Sequence, residues 1–322
     1  MAIVTAPNPL DPFLRKNGFL ILDGGLASEL ERAGADLNNP LWSGRVFIDN
    51  PDLVRAVHRS YLDAGSDVIT SCSYQLSIEG LTATGRPLEE AERLITESVK
   101  LALDERDSFW AANKESDLQP KPLVAASVGP YGAYLADGSE FTGRYGVSTA
   151  RLRDFHLPRL ELLSRAEPDL LAIETIPSLE EASVLIELLN DVNAPPAWIS
   201  FSCSSETLTS AGDPFGDAVA IASMSSKIVA VGLNCTDWAY APSLLLSADR
   251  ATTKPLLCYP NAGGVWDPAN RVWMLPQGST NFGDLCKEWY QSGATLIGGC
   301  CRTRPEDIRA IKQSLLERKK SP

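Results

Sequence analysis

Histidine is almost missing from this sequence, which holds only His58 and His156 among its 322 residues. Two histidines exclude a His-rich zinc site by count and leave few candidates for His-based acid–base catalysis. Basic residues are also scarce, since 29 Lys and Arg stand against 41 Asp and Glu and give a formal net charge of -12. Nucleic-acid-binding proteins concentrate Lys and Arg on one surface, so no nucleic-acid partner is expected.

Long apolar runs are missing as well. No segment approaches the roughly 18 apolar residues of a membrane span, and the start, MAIVTAPNPLDPFLRKNG, lacks the pattern of a signal peptide. We therefore expect a soluble, cytoplasmic protein without a membrane partner. The seven cysteines are an odd number scattered over a large acidic chain, which indicates reduced thiols or metal ligands and not a disulfide framework.

Short apolar runs alternate with helical patterns along the whole chain. Each run is too short for a helix and too continuous for a half-exposed strand, which is typical of buried parallel strands. The eight runs lie at residues 19–22, 67–70, 123–128, 170–173, 197–201, 228–233, 255–259 and 295–299. No G-x-G-x-x-G motif follows the first run, which disfavours a dinucleotide-binding sheet. The pattern predicts an α/β protein, a (β/α)8 TIM barrel with a single domain over residues 1–322, in which 1–17 form an N-terminal extension.

Polar residues and glycines follow the apolar runs. In a TIM barrel these positions face one mouth, where active sites of this fold are built. Neither Lys nor His comes directly after any run, which disfavours an aldolase or dehydratase that needs a Schiff-base lysine or an acid–base pair. The residues that follow the runs include Asp23, Gly24, Gly25, Ser71, Tyr74, Glu174, Asn234, Cys235, Cys300 and Cys301.

The adjacent cysteines Cys300 and Cys301 indicate a soft metal. Consecutive Cα atoms are about 3.8 Å apart, too close for an ordinary disulfide. Cys235, at the end of the sixth run, is the best third ligand. Three thiolates on zinc leave one position open, and such a metal suits an incoming thiol that is to remain a nucleophile. This logic points to alkyl transfer onto sulfur.

Two local interpretations accompany this metal site. We interpret the glycines before the cysteine pair, Gly298 and Gly299, as positions where the backbone approaches the ion closely. We interpret Thr303 to Glu306 as a capping box that opens the last helix. Together they predict that the pair is held at a strand-to-helix turn.

Several motifs together resemble the homocysteine S-methyltransferases and cover nearly the whole chain. They are LDGGLASELE, NNPLWS, SYQLS, SVGPYGAYLADGSEF-TGRYG, LLAIETIP, VGLNC, YPNAG and IGGCCRTRP. The resemblance implies a (β/α)8 barrel, one Zn2+ held by three cysteines, and methylation of L-homocysteine to methionine. It is strongest to the plant-type enzymes that use S-methylmethionine.

Roles for individual residues follow from the resemblance. Cys235, Cys300 and Cys301 match the zinc ligands, while Asp23 and Glu174 match the carboxylates that hold the homocysteine amino group. The N–H groups of Gly24 and Gly25 would take the substrate carboxylate. Asn234, Ser71, Tyr74 and Trp42 are expected around the pocket. The sequence departs from the pattern where many relatives read YPNSGE, because Ala262 and Gly264 replace two polar residues.

The methyl donor is the least determined feature. S-methylmethionine, S-adenosylmethionine and betaine all carry a cationic methyl-bearing centre, and we expect S-methylmethionine because no adenosine-binding motif is evident and betaine would need an aromatic cage. A barrel with a structural zinc that acts as a binding protein is the non-enzymatic alternative. We expect a monomer.

Overall fold

The computed structural model describes residues 8–114, 120–263, 265–267, 272–274 and 281–320. Helices and strands alternate along these ranges, with two 3-10 turns at Ser139–Phe141 and Trp238–Tyr240. The helices are α1 (Asp11–Asn17), α2 (Leu26–Arg32), α3 (Ser43–Asp49), α4 (Pro51–Ala64), α5 (Ile78–Thr82), α6 (Leu88–Asn113), α7 (Tyr131–Leu135), α8 (Thr149–Arg165), α9 (Leu179–Asp191), α10 (Phe215–Ser223), α11 (Ala241–Ala251), α12 (Phe282–Gln291) and α13 (Pro305–Lys320). The strands are β1 (Leu20–Ile21), β2 (Val68–Thr70), β3 (Leu123–Val128), β4 (Leu170–Ile176), β5 (Ala197–Phe201), β6 (Ile228–Asp237), β7 (Leu256–Asn261), β8 (Val265–Asp267), β9 (Val272–Met274) and β10 (Ala294–Ile297).

Eight of these strands form one parallel sheet with the neighbour order β1-β10-β7-β6-β5-β4-β3-β2. Helices cover its outer face, and the sheet curls into a nearly closed barrel. The predicted (β/α)8 TIM barrel is therefore confirmed. The remaining two strands, β8 and β9, pair with each other in an antiparallel hairpin between β7 and α12.

The barrel has two apolar layers because successive side chains of a strand point to opposite faces. In β1 and its flanks, Leu20 and Leu22 belong to the inner cluster, whereas Phe19 and Ile21 belong to the outer cluster beneath the helices. Both faces of each strand are thus covered, which explains why the strands read as continuous apolar runs.

Two aspartates close the seam between β1 and β2. At one end, the N–H of Asp67 donates to the carbonyl of Ile21 (2.7 Å), and the Asp67 carboxylate accepts from the Ile21 N–H (2.9 Å). At the other end, the Asp23 carboxylate accepts from the backbone N–H of Thr70 (2.6 Å) and from its hydroxyl (3.1 Å). Asp23 is therefore both a seam residue and a residue of the mouth.

The segment before β1 packs into the barrel. Leu10 and Phe13 are 0% and 3% exposed and join the inner apolar cluster, so α1 covers the end of the barrel opposite the mouth. Residues 1–7 of the expected extension lie outside the described residues. No helix in the described ranges is long and apolar enough to cross a membrane.

Candidate active site

Three cysteine sulfurs meet at the carboxyl end of the barrel. Cys235 lies in β6, while Cys300 and Cys301 follow β10. Their Sγ atoms all lie within 4.8 Å of one another, and those of Cys235 and Cys301 are 3.7 Å apart. Thiolates about 2.3 Å from a tetrahedral zinc would be separated by about 3.8 Å. The cluster therefore has the spacing of a soft-metal site.

The three thiols influence one another's ionisation. Hydrogen bonds from Cys235 and Cys300 lower the pKa of the Cys301 thiol well below its usual value. Hydrogen bonding to Cys300 and then to Cys301 raises the pKa of Cys235. The cluster thus favours a thiolate at Cys301, and the thiolate is the form of cysteine that binds metals.

The other four cysteines are buried thiols outside this cluster. Burial raises the pKa of Cys72 and of Cys286, each to about 12. Cys72 lines the same pocket as the cluster, whereas Cys203, Cys258 and Cys286 are not among its lining residues. They fit the interpretation of small buried apolar side chains.

Two β-bulges next to each other shape the pocket wall. The register of β4 shifts between Ile173 and Ile176, and that of β6 shifts between Asn234 and Asp237. Inside these bulges Thr175 and Cys235 have φ values of 61° and 48°, a left-handed conformation that non-glycine residues rarely adopt. Bulges redirect side chains and are common beside active sites. Here they direct Glu174 and Cys235 toward the mouth.

Asn234 connects the two bulges from behind the pocket. Its Oδ1 accepts from the N–H of Thr175 (2.7 Å), and its Nδ2 donates to the Thr175 hydroxyl (2.8 Å) and to the Cys300 sulfur (3.8 Å). Asn234 is fully buried and is not a lining residue of the pocket. The structure thus places it behind the site as a brace, and not at the pocket surface expected from the sequence.

The carboxylates of Asp23 and Glu174 both line the pocket. Burial raises the pKa of Asp23 to about 8, and the charge of Glu174 adds to this shift. Burial likewise raises the pKa of Glu174 to about 7. Glu174 accepts hydrogen bonds from the hydroxyls of Ser127 and Tyr259. Burial disfavours the ionised form of both carboxyl groups, and a bound cation would favour it again. The pair is therefore suited to bind a cation.

The glycines beside the mouth are explained by packing. The N–H of Gly25 donates to the carbonyl and hydroxyl of Thr303 (3.2 and 3.1 Å), so this amide is already engaged and the expected contact with a substrate carboxylate is not supported. A Cβ at Gly25 would lie 2.6 Å from the Cys300 carbonyl oxygen, and one at Gly299 would lie 2.3 Å from the Thr303 hydroxyl. Gly299 therefore makes room for Thr303, and it lines the pocket beside the cysteine pair. The close approach of Gly298 and Gly299 to an ion stays a prediction. Gly24 lines the pocket.

Trp42, Tyr74 and Ser71 also line the pocket. The rings of Trp42 and Tyr74 meet edge to face with centroids 6.4 Å apart. The backbone carbonyl of Tyr74 accepts from the buried guanidinium of Arg159 (2.6 Å). The Ser71 hydroxyl lies 2.8 Å from that of Ser73. The aromatic pair forms one wall of the pocket, and the hydrogen bond from Arg159 holds the backbone of Tyr74 in place.

Two further lining residues, Tyr259 and Glu140, were not expected from the sequence. Tyr259 lies in β7, and its hydroxyl connects Trp198 (3.1 Å) and Glu174 (3.3 Å) beneath the pocket. Glu140 lies in the 3-10 turn Ser139–Phe141, far along the chain from the end of β3. The only sequence signal for Glu140 was its place in the motif SVGPYGAYLADGSEF.

The segment YPNAGG has Ala262 and Gly264 where many relatives have polar residues. The N–H of Ala262 donates to the carbonyl of Cys301 (3.0 Å), so its backbone supports the cysteine pair. Gly264 lies outside the described residues.

Comparisons with known proteins identify the family of this chain. The family model for homocysteine S-methyltransferase matches residues 20–315. The chain is 42% identical to the homocysteine S-methyltransferase YbgG of Bacillus subtilis over 304 residues, which are 94% of this chain and 96% of the relative. It is 44% identical to homocysteine S-methyltransferase 1 of Zea mays over 312 residues, covering 95% and 97% of the two chains.

A solved structure shows the same fold and a metal. The metallated form of the homocysteine methyltransferase MmuM from Escherichia coli matches with a TM-score of 0.85 and 40% identity, covering 95% of this chain and 99% of that one. The matches extend over nearly the full length of each protein. The chain therefore belongs to the homocysteine S-methyltransferase family.

Proposed function

We propose that this enzyme moves a methyl group from S-methylmethionine to the thiol of L-homocysteine and yields two molecules of methionine, with one zinc held by Cys235, Cys300 and Cys301. The observation that carries the proposal is the convergence of three sulfurs within 4.8 Å beside two buried carboxylates in one pocket. Membership of an enzyme family sets aside the binding-protein alternative.

The donor set fits zinc better than a hard cation. Three sulfur ligands suit a soft or borderline metal, and three protein ligands leave a tetrahedral ion with one open position. Bound there, zinc would act as a Lewis acid that keeps the homocysteine thiol deprotonated near neutral pH. The lowered pKa of Cys301 favours the thiolate form, which binds metals, at one of the three ligands.

The carboxylates of Asp23 and Glu174 would hold the ammonium group of homocysteine. An ammonium between two carboxylates forms charge-assisted hydrogen bonds and restores the ionised state that burial disfavours. Because the Gly25 amide is engaged with Thr303, we assign the substrate carboxylate to the Gly24 N–H. These contacts fix the sulfur of homocysteine with respect to the donor, and such alignment is a large part of catalysis by positioning.

The transfer itself needs no proton donor. A new bond forms between the homocysteine sulfur and the methyl carbon, while the bond from that carbon to the sulfonium breaks and its electron pair stays on the leaving thioether. The leaving group is neutral, so a general acid has no role. This agrees with the position of His58 and His156, which are both fully buried and are not among the lining residues of the pocket.

The metal assignment is tested with cysteine variants. The purified enzyme should contain about one zinc per chain, and Cys301→Ser should lose most of the zinc and nearly all activity because a hydroxyl is a poor zinc ligand. The matched control is Cys286→Ser on α12, where a hydroxyl can keep the hydrogen bond to the Gly283 carbonyl. Metal analysis and methionine formation are measured. Full activity of Cys301→Ser would end the three-cysteine assignment.

The donor is tested by direct competition. S-methylmethionine, S-adenosylmethionine and betaine, each labelled in the transferred methyl group, are offered at equal concentration with homocysteine. We expect the label to appear in methionine fastest from S-methylmethionine. A thioether is a better leaving group than an amine, which disfavours betaine. The sequence has no evident adenosine-binding motif, which disfavours S-adenosylmethionine. Faster transfer from either of the other donors would refute the donor assignment and leave the family activity intact.

A further inference from the structure

Glu140 is a carboxylate of the pocket that no step above uses. It lines the pocket together with Phe141, Trp42 and Tyr74. Its Oε2 atom is buried and has no hydrogen-bond partner within the described ranges. A buried carboxylate oxygen without a partner is costly, and native proteins rarely keep one without a reason. A ligand that brings a hydrogen-bond donor would remove this cost.

The protein offers no cation to pair with Glu140 in the pocket. Of the residues that the structure describes there, three are carboxylates (Asp23, Glu174 and Glu140) and none is Lys, Arg or His. Asp23 and Glu174 act on each other and each accepts hydrogen bonds from the protein. Glu140 lies in the 3-10 turn Ser139–Phe141, whereas Asp23 follows β1 and Glu174 lies in β4. The pocket thus has a third acidic residue on an element apart from the strands that carry the other two.

The backbone around Glu140 is held firmly. A Cβ at Gly132 would lie 2.3 Å from the Glu140 nitrogen, so the chain packs directly onto α7 at this point. On either side, the Tyr131 N–H (2.6 Å) and the Tyr145 hydroxyl (2.8 Å) both donate to the buried carboxylate of Glu181. Glu140 is therefore placed by fixed structure, as a binding residue should be.

We propose that Glu140 binds the ammonium group of the methyl donor. This inference rests on the proposed function, in which two amino acids enter one pocket and each carries an ammonium. Asp23 and Glu174 are assigned to homocysteine, which leaves Glu140 for the donor. An ammonium has N–H groups to donate to Oε2, whereas a sulfonium has none, so the amino group is the better match for an unpaired acceptor.

The test combines one substitution with one donor analogue. Glu140→Gln keeps the size of the side chain and removes its charge. With S-methylmethionine we expect kcat/KM to fall about 10- to 100-fold, mostly through KM, since hydrogen bonds to charged groups contribute at this level. With γ-(dimethylsulfonio)butyrate, which is S-methylmethionine without its amino group, the wild type and the variant should be equal within about twofold. KM for homocysteine should stay unchanged.

Asp63→Asn is the matched control, because it removes one negative charge from an exposed residue of α4 that is not among the lining residues of the pocket. It should behave as the wild type with both donors. An equal loss of Glu140→Gln with both donors would overturn the proposal, because it would assign Glu140 to the sulfonium or to the pocket shape. A raised KM for homocysteine would overturn it as well.

The wild-type enzyme separates this inference from the proposed function. If the wild type transfers no methyl from S-methylmethionine, the proposed function fails. Calorimetric binding of S-methylmethionine to the wild type and to Glu140→Gln then decides the inference alone. Weaker binding by the variant would support it, and equal binding would refute it.

Discussion

Asn234 shows how one buried side chain can fix two residues of an active site. The bulge in β4 takes the N–H of Thr175 out of the regular ladder, and Oδ1 of Asn234 accepts it instead. The amide on the same side chain reaches the sulfur of Cys300. A carboxamide is the side chain that can accept from the first group while donating to the second. Asn234 therefore couples the wall that carries Glu174 to the metal cluster.

Asn234→Ala should damage both stability and metal binding. The Thr175 N–H would remain buried without a partner, which costs about 1–3 kcal/mol in the free energy of unfolding. Loss of a group that orients a metal ligand should lower metal affinity about 10- to 100-fold. Urea unfolding and competition with a chelator measure the two effects.

Ser200→Ala is the control for this variant. It removes a hydroxyl that donates to the same Oδ1 (2.9 Å) and leaves both contacts of Asn234 to Thr175 in place. Metal affinity should therefore stay close to that of the wild type. Unchanged metal affinity in Asn234→Ala itself would show that its contact with Cys300 does not support the site.

The strands illustrate what the apolar pattern could predict. The runs at 123–128 and 197–201 coincide with β3 and β5, because every side chain there is apolar or small and buried. The runs predicted to end at 173 and 233 continue to Ile176 and Asp237 as β4 and β6. Their backbones still pair with neighbouring strands, while polar side chains appear because they serve the pocket or its bracing. The polar side chains at the ends of β4 and β6 therefore belong to the strands as well as to the site.

The sequence predicted the cysteine cluster well, because the carboxyl ends of parallel strands meet at one mouth. It could not predict Glu140, since the position of a turn away from its strand depends on tertiary packing such as that of Gly132.

The prediction that Thr303 to Glu306 form a capping box was wrong. The Thr303 hydroxyl donates to the Cys300 carbonyl (2.7 Å), and the Arg304 N–H is capped by Asp307 (2.9 Å). A local motif was overridden by the contact between the turn and the barrel.

The whole molecule combines an acidic surface with an acidic, buried mouth. Its formal net charge is -12, and the described lining of the pocket contains carboxylates and no basic side chain. Such a field attracts cationic ligands and repels anions. Within the mouth, burial makes ionisation of the carboxylates unfavourable until a cation binds. The free energy of unfolding should therefore depend on pH through the ionisation of these carboxyl groups.

Asp23 should make the free protein less stable as the pH rises. Its pKa is about 8 in the folded state against 3.8 for the free side chain, so the folded state holds a proton that the unfolded chain has lost between these values. The contribution is fully present below about pH 4 and is lost as the pH rises through about 8. Asp23→Asn lacks this ionisation but keeps an acceptor for the Thr70 N–H. In urea unfolding, with both proteins in the same metal state, the variant should gain on the order of a few kcal/mol relative to the wild type between pH 5 and pH 9. If the difference in free energy of unfolding between the two proteins does not change with pH, Asp23 is already ionised in the free enzyme. Its ionisation then does not depend on the binding of a cation.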